Sequence, residues 1–302
     1  MKKYKICKIL LVILAIFLCV AFYELLGICV AYKKQPEVSN TTKKETKNGS
    51  WNECSENTER AVIIEKNPEA LLQRVRLIKN AKKEIILSTF AFQSDESGKL
   101  ILGALHDAAD RGVHIRLLVD GMESWIDMEG NPYFYGLSSH ENVEIKLYNK
   151  ANPLKPWKMM GRMHDKYLIA DGKRYILGGR NTYNYFLGDF PGHKNYDRDV
   201  LVVCDEPEKE NSVNQLLEYF ETIWEQEDSG YFHDNKKLAN RKSVKNAVLE
   251  LQNGYQKYFE ENKERICDTD YTDETFETEK IALVSNPIHT GSKEPVVWYQ
   301  LG

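Results

Sequence analysis

The stretch Arg162–Asn181, RMHDKYLIADGKRYILGGRN, limits what this chain can fold into, because it writes a β-hairpin with polar chemistry at its open end. In Lys166–Ala170, Lys166, Leu168 and Ala170 fall on one side of an extended chain, and Tyr167 and Ile169 on the other. Asp171-Gly172 is a two-residue hairpin signal, and Arg174–Leu177 reads as the returning strand. His164 and Lys166 are two apart, so both point to one face. The opposed arm ends in Gly178-Gly179-Arg180-Asn181, which brings a carboxamide beside them, above two glycines whose bare backbone lets a ligand come close. That set suits a phosphate diester. A neutral imidazole can attack phosphorus, while an ammonium, an amide NH2 and backbone N–H groups hold the non-bridging oxygens.

Around this hairpin, strand and helix alternate. Ala61–Ile64 reads as a strand, and Asn67-Pro68 opens a helix carrying Leu71, Leu72, Val75 and Ile78 on one stripe. A strand over Glu84–Phe92, a helix over Leu100–Ala109 closed by Asp110-Arg111-Gly112, and a strand over Val113–Val119 follow. Asp120-Gly121 reads as a turn and Trp125–Tyr135 as an irregular aromatic segment before a strand over Val143–Tyr148. After the hairpin come a strand over Asp199–Cys204 and an amphipathic helix over Val213–Trp224. The order predicts an α/β fold, a mixed and mostly parallel sheet flanked by helices.

Outside that unit the text changes character. Ile9–Tyr32 is an apolar run long enough to cross a bilayer, interrupted only by Glu24. An acid at the bilayer centre costs about 2.5–3.5 kcal/mol, and each Leu, Ile, Phe or Val returns roughly 0.3–0.6, so the fifteen such residues outweigh it. Lys2, Lys3, Lys5 and Lys8 precede the run, but no Ala-x-Ala site follows, so an uncleaved transmembrane helix is expected. The expected topology has the N-terminus inside and the domain outside. The divisions expected are the basic end and anchor over 1–32, a flexible polar tether over 33–60, the globular unit over 61–228, a helical connector and acidic linker over 229–279, and a last segment over 280–302. That segment repeats the strand, Asn-Pro, helix-start grammar of Ala61–Leu71 and reads as the opening of a truncated second repeat. The formal net charge of −4 argues against nucleic acid as partner. The six cysteines show no Cys-x-x-Cys spacing, and no metal-ligand spacing appears.

The spacing His164-x-Lys166, four residues, Asp171, six residues, Gly178-Gly179-x-Asn181 resembles the signature motif of the phospholipase D superfamily, with glycine where many members carry serine. Strand order extends the resemblance over about Glu59–Glu227. It implies that His164 is the nucleophile and forms a phosphohistidine, that Lys166 and Asn181 grip the phosphate, that Gly178 and Gly179 shape the floor, and that Asp171 orients or charges an imidazole across the site. Asp199 would close the hydrogen-bond shell of the hairpin or serve as a strand-end carboxylate. Lys155, Lys158 and Arg162 would raise the positive potential near an anionic headgroup or simply form a solvated basic loop. Neither cofactor nor metal is called for. Superfamily members resemble one another in using two motif copies, one histidine attacking and the other protonating the leaving alcohol. His106, His114, His140, His193, His233 and His289 all lack the partner lysine, and His193, on the loop past the motif, reads first as a solvated loop residue and second as a rim candidate. Long stretches also resemble bacterial cardiolipin synthases, which implies a phospholipid substrate, phosphatidylglycerol, at a membrane. A homodimer could supply both histidines. The competing readings are a catalytically silent half-site fragment and a membrane-bound nuclease-type phosphodiesterase active as a dimer.

Overall fold

The structure, a computed structural model, describes residues 2–33, 59–158, 161–204, 211–233, 236–279 and 281–285. The tether expected over 33–60 falls almost wholly outside these residues, as do the Asn286-Pro287 pair and the helix start expected after it.

Among the described residues, nine strands form one sheet in the order β8-β4-β3-β2-β5-β6-β7-β1-β9. β1 is Glu59–Ile64, β2 Glu84–Thr89, β3 His114–Asp120, β4 Val143–Tyr148, β5 Tyr167–Ala170, β6 Arg174–Gly178, β7 Asp199–Cys204, β8 Ser229–Tyr231 and β9 Phe276–Glu277. The sheet is mixed, as its sequence order predicts, but it is not mostly parallel. Between these strands, parallel pairing is confined to β2–β3 and β3–β4. Every other pairing is antiparallel. Connection length explains the difference. Helices carry the chain from β2 to β3 and from β3 to β4, whereas residues 171–173 between β5 and β6 are too few for a crossover. That turn has three residues, one more than the Asp-Gly signal suggests, with positive φ at Asp171 (54°) and Gly172 (62°).

Helices cover both faces. α2 (Asn67–Asn80), α3 (Glu96–Asp110), α5 (Pro132–Ser138) and α7 (Lys242–Glu261) pack on one face, over Leu87, Leu117, Leu168, Ile176 and Leu201. α6 (Ser212–Trp224) covers the other, over Ile86, Leu118, Tyr167, Ile169 and Val202. The alternation read in Tyr167–Ala170 thus divides the hairpin between two cores.

Four stretches depart from expectation. Asp120-Gly121 is no simple turn, because Asp120 caps α4 (Gly121–Asp127), accepting from the Met122 and Glu123 amides. The aromatic segment that follows is largely helical, in α4 and α5. Residues 268–279 are not a free acidic linker. They wrap the buried Arg76, which donates to the carbonyls of Asp268 and Asp270, pairs with Glu274 at 2.8 Å and lies 3.9 Å from the Tyr271 ring, before β9 joins β1. Residues 281–285, expected as a strand, have no regular structure, and Leu283 donates its amide to Gln215.

At the other end, α1 (Lys2–Lys33) holds one stretch, Tyr4–Gly27, that is long and apolar enough to cross a membrane. It meets the globular unit through Tyr23, whose hydroxyl donates to the Leu154 carbonyl at 2.9 Å.

Candidate active site

The ends of β2, β3 and β6 and the beginnings of β5 and β7 meet at one end of the sheet, and the motif lies there. Tyr167 pairs with Leu177, so Lys166 stands opposite Gly178, and the Gly178 amide donates to the Lys166 carbonyl at 3.1 Å. Gly178 in turn pairs with Asp199. Lys166, Gly178 and Asp199 therefore lie in a row across three strands, on the face that carries Leu168, Ile176 and Leu201 toward the core. His164 is two residues before Lys166 and exposed, while Lys166 is only 5% exposed.

Both glycines are required by close approach. A Cβ on Gly178 would stand 2.1 Å from Asp199 Oδ1 and 2.5 Å from the Arg198 carbonyl oxygen. One on Gly179 would meet Asp197 Oδ2 at 2.1 Å. Asn181 is held by its oxygen, which accepts from the Ala91 amide at 3.2 Å, and this turns its NH2 group to the other side. Thr182 forms a bridge with Phe92, so the end of the motif is zipped to the chain leaving β2.

A buried ionic knot supports this floor. Asp199 Oδ2 takes Arg74 Nη1 at 2.9 Å and Arg180 Nη1 at 3.2 Å, all three side chains being buried. Arg180 also donates to Asn67 Oδ1 and to the carbonyls of Ile64 and Glu65, tying the glycine turn to β1 and α2. Burial pushes the Arg180 guanidinium down from its ordinary pKa, against the opposing pull of Asp199. Asp199 Oδ1 is buried with no hydrogen-bond partner among the described residues.

A second carboxylate sets the approach to His164. Asp120, buried at the end of β3, accepts from Arg162 Nε at 2.9 Å and from the Met163 amide at 3.0 Å. The residue before His164 is thereby hooked to the N-terminus of α4. Phe90 packs edge-on against the His164 ring, centroids 4.7 Å apart, and Arg162 and Lys166 approach the same phenyl ring at 5.0 Å and 5.4 Å.

The charges favour a nucleophile and an anion clamp. Burial, then the neighbouring Lys166 ammonium, hold the His164 pKa below its ordinary 6.5, so the imidazole is neutral at pH 7. Burial brings Lys166 down to about 8, with Asp165 and Asp197 opposing, so it is still largely charged there. The donors turned to this end of the sheet are cationic or neutral, a set for an anion rather than for a metal cation.

Of the residues singled out in the sequence, the fold brings together His164, Lys166, Gly178, Gly179 and Asn181. Asp171 does not join them. It lies beyond β5, at the far end of the hairpin, and its carboxylate accepts from the backbone amides of Lys82, Lys83 and Glu84 at 2.7–3.1 Å. It cannot orient an imidazole from there; it caps the start of β2. Lys158 is committed to Asp228 at 2.7 Å and Arg162 to Asp120 and Glu123, so the basic loop is largely neutralised. Other imidazoles have partners elsewhere: His106 and His140 with Asp110, His114 with Glu84 and Glu144, His233 with Glu129. His193 lies obliquely against Tyr185, and His289 is outside the described residues. Sequence reading missed Phe90, Arg74, Arg180 and Asp120. Only Arg180, inside the motif, and Asp120, immediately before a helix start, carried a signal that could have found them.

Comparison with known proteins agrees with the motif. The family described as cardiolipin synthase, PLD-like domain matches residues 74–224, which is 151 of 302 residues and includes every motif position. A Helicobacter pylori protein is 30% identical over 212 residues, covering 65% of this chain and 39% of its own length. Cardiolipin synthase C of Escherichia coli is 29% identical over 171 residues, covering 52% and 34%. The chain thus spans about two fifths or less of the length of the curated relatives it matches. Among solved structures, phosphatidylserine synthase of Haemophilus influenzae aligns with a TM-score of 0.49 at 18% identity, covering 73% of this chain and 48% of that one. With the family matched across half its length, the chain belongs to the phospholipase D superfamily, in its cardiolipin synthase-like family.

Proposed function

We propose that this is a membrane-anchored phosphodiester transferase or hydrolase that works through a phosphohistidine at His164. The observation that carries the reading is a neutral, exposed imidazole two residues from a buried ammonium, at the sheet end where Gly178 and Gly179 let the Asp199 and Asp197 carboxylates pack close. Imidazole nitrogen attacks phosphorus, the bond to the leaving alcohol breaks, and water or an incoming alcohol later takes the phosphoryl group from the ring. Lys166 Nζ, the Asn181 amide and backbone N–H groups hold the non-bridging oxygens as charge builds on them. A phospholipid, phosphatidylglycerol in line with the cardiolipin synthase relatives, is the proposed substrate. The apolar span in α1 supports a single-pass anchor, and the domain is proposed to lie on the extracytoplasmic side. A C-terminal topology reporter active only in the cytoplasm would reverse that orientation.

This half-site lacks an acid for the leaving alcohol, since the other described imidazoles have contacts elsewhere. A second copy of the chain is the proposed source.

The test is direct trapping. Purified full-length protein is incubated with phosphatidylglycerol labelled in its phosphate and quenched at alkaline pH, where phosphohistidine survives. Label is expected on the peptide containing His164, and His164→Asn should abolish both label and turnover. Turnover by His164→Asn at the wild-type rate would end this reading.

A further inference from the structure

The hook that holds His164 leads to an apolar surface. Asp120, which fixes the Met163 amide, also caps α4, and α4 turns Trp125 and Ile126 outward, 66% and 64% exposed. The chain between β4 and the motif carries Leu154, 78% exposed, with Lys155 next to it. Large apolar side chains scattered singly over a surface need no explanation. These three stand on the two segments that lead into His164, and the anchor helix arrives at the same place. Tyr23 donates to the Leu154 carbonyl, and a cleft of about 510 Å³ between α1 and the domain is lined by Glu24, Met122, Trp125, Leu147, Lys150 and Pro153.

The position of that junction along α1 matters. Tyr23 and Glu24 fall in the last turns of the 24-residue span Tyr4–Gly27. At about 1.5 Å per residue the span is somewhat longer than the roughly 30 Å hydrocarbon core, so its last turns reach the headgroup boundary. Tyrosine and tryptophan are the side chains that settle at such a boundary, and a nearby lysine is drawn to anionic headgroups.

We propose that the face formed by Trp125, Ile126 and Leu154 is seated in the interfacial zone of the leaflet in which α1 ends, so that the His164 end of the sheet opens onto lipid headgroups. The proposal rests on α1 spanning the bilayer. It assigns the occupant of this face as glycerophospholipid, and it gives the half-site a two-dimensional source of phosphodiester.

The experiment uses the full chain reconstituted in vesicles of phosphatidylcholine and phosphatidylglycerol, plain or brominated on the acyl chains. The emission lost on Trp125→Phe isolates Trp125 from the other four tryptophans, and this exposed position tolerates the change. That difference emission is expected to be quenched in brominated vesicles and shielded from acrylamide added to the water. Ile126→Asp combined with Leu154→Asp should reverse both effects. Difference emission equal in plain and brominated vesicles overturns the proposal, whether acrylamide reaches Trp125 (a solvated face) or not (a face covered by protein). Flotation with the vesicles and resistance to alkaline extraction read the anchor separately. A chain that floats with an unquenched Trp125 removes the interfacial face alone, and a chain that fails to float removes the anchor and the face together.

Discussion

His164 and Lys166 are two residues apart, yet their protonation states set opposite limits on the same reaction. As the proposed nucleophile, His164 would attack only as the neutral ring, so activity should be lost as pH falls through a pKa held below 6.5. As the proposed phosphate clamp, Lys166 would act only as the ammonium, so activity should be lost as pH rises through about 8. The Lys166 clamp should therefore add to the profile of kcat/KM, which reports the free enzyme, an alkaline limb near pH 8, beyond the one set by loss of the proton from the second imidazole acting as acid. In Lys166→Arg, whose guanidinium does not titrate in this range, residual activity should lose that limb. An unmoved alkaline limb in the variant would assign it to another group. Asp171 gives a contrasting expectation. Removing a carboxylate that caps three amides in Asp171→Ala should cost about 1–2 kcal/mol by denaturant titration. Turnover per folded molecule should hold, whereas a site carboxylate would show a fall in kcat with stability intact. The glycines divide similarly. Gly178→Ala presses on the Arg198 and Asp199 backbone and should destabilise by about 1–3 kcal/mol, while Gly179→Ser meets the end of the Asp197 side chain, which can swing aside.

At the scale of elements, what the sequence made legible was local. The hairpin, the Asn67-Pro68 helix start and the β4 and β7 limits follow from alternation, proline geometry and apolar runs, each a property of neighbouring residues. Asp171 was misread because a motif places a residue by spacing, and spacing does not show which end of a hairpin faces the ligand. The mostly parallel sheet was misread because pairing depends on where connections return, not on the order of strands. Residues 268–279 read as a polar linker, since nothing in their composition announces that a buried arginine nearly 200 positions earlier needs their carbonyls and acids. Their role is testable. Truncation after Cys267 strips Arg76 of these partners and removes β9 from β1. Allowing for the half-exposed Asp268 and Glu274, the loss should be about 2 kcal/mol in a thermal or denaturant melt. Arg76→Met in the truncated chain should regain part of it. A truncated chain that melts with the full one would return the segment to the status of a linker.

On the scale of the whole molecule, the proposed half-site and anchor make a quantitative demand. Without a positioned acid the leaving alcohol departs as an alkoxide, and general acid assistance is typically worth 10²–10⁴-fold. If a second copy supplies that acid, the active species is a pair, and confinement to a bilayer sets how often pairs form. Activity per chain should then rise with the protein-to-lipid ratio at fixed protein and substrate exposure, and level off once pairing is complete. An excess of His164→Ala chains reconstituted with wild type should lower the activity per wild-type chain, because most wild-type chains then sit in pairs with one imidazole. Adding Lys166→Ala chains to His164→Ala chains should restore nothing, since every mixed pair keeps a defective half. Specific activity independent of protein density, and indifferent to the inactive chains, would mean that one copy completes the reaction alone. The acid would then have to be sought within this chain, with His193 on the loop past the motif the first side chain to replace.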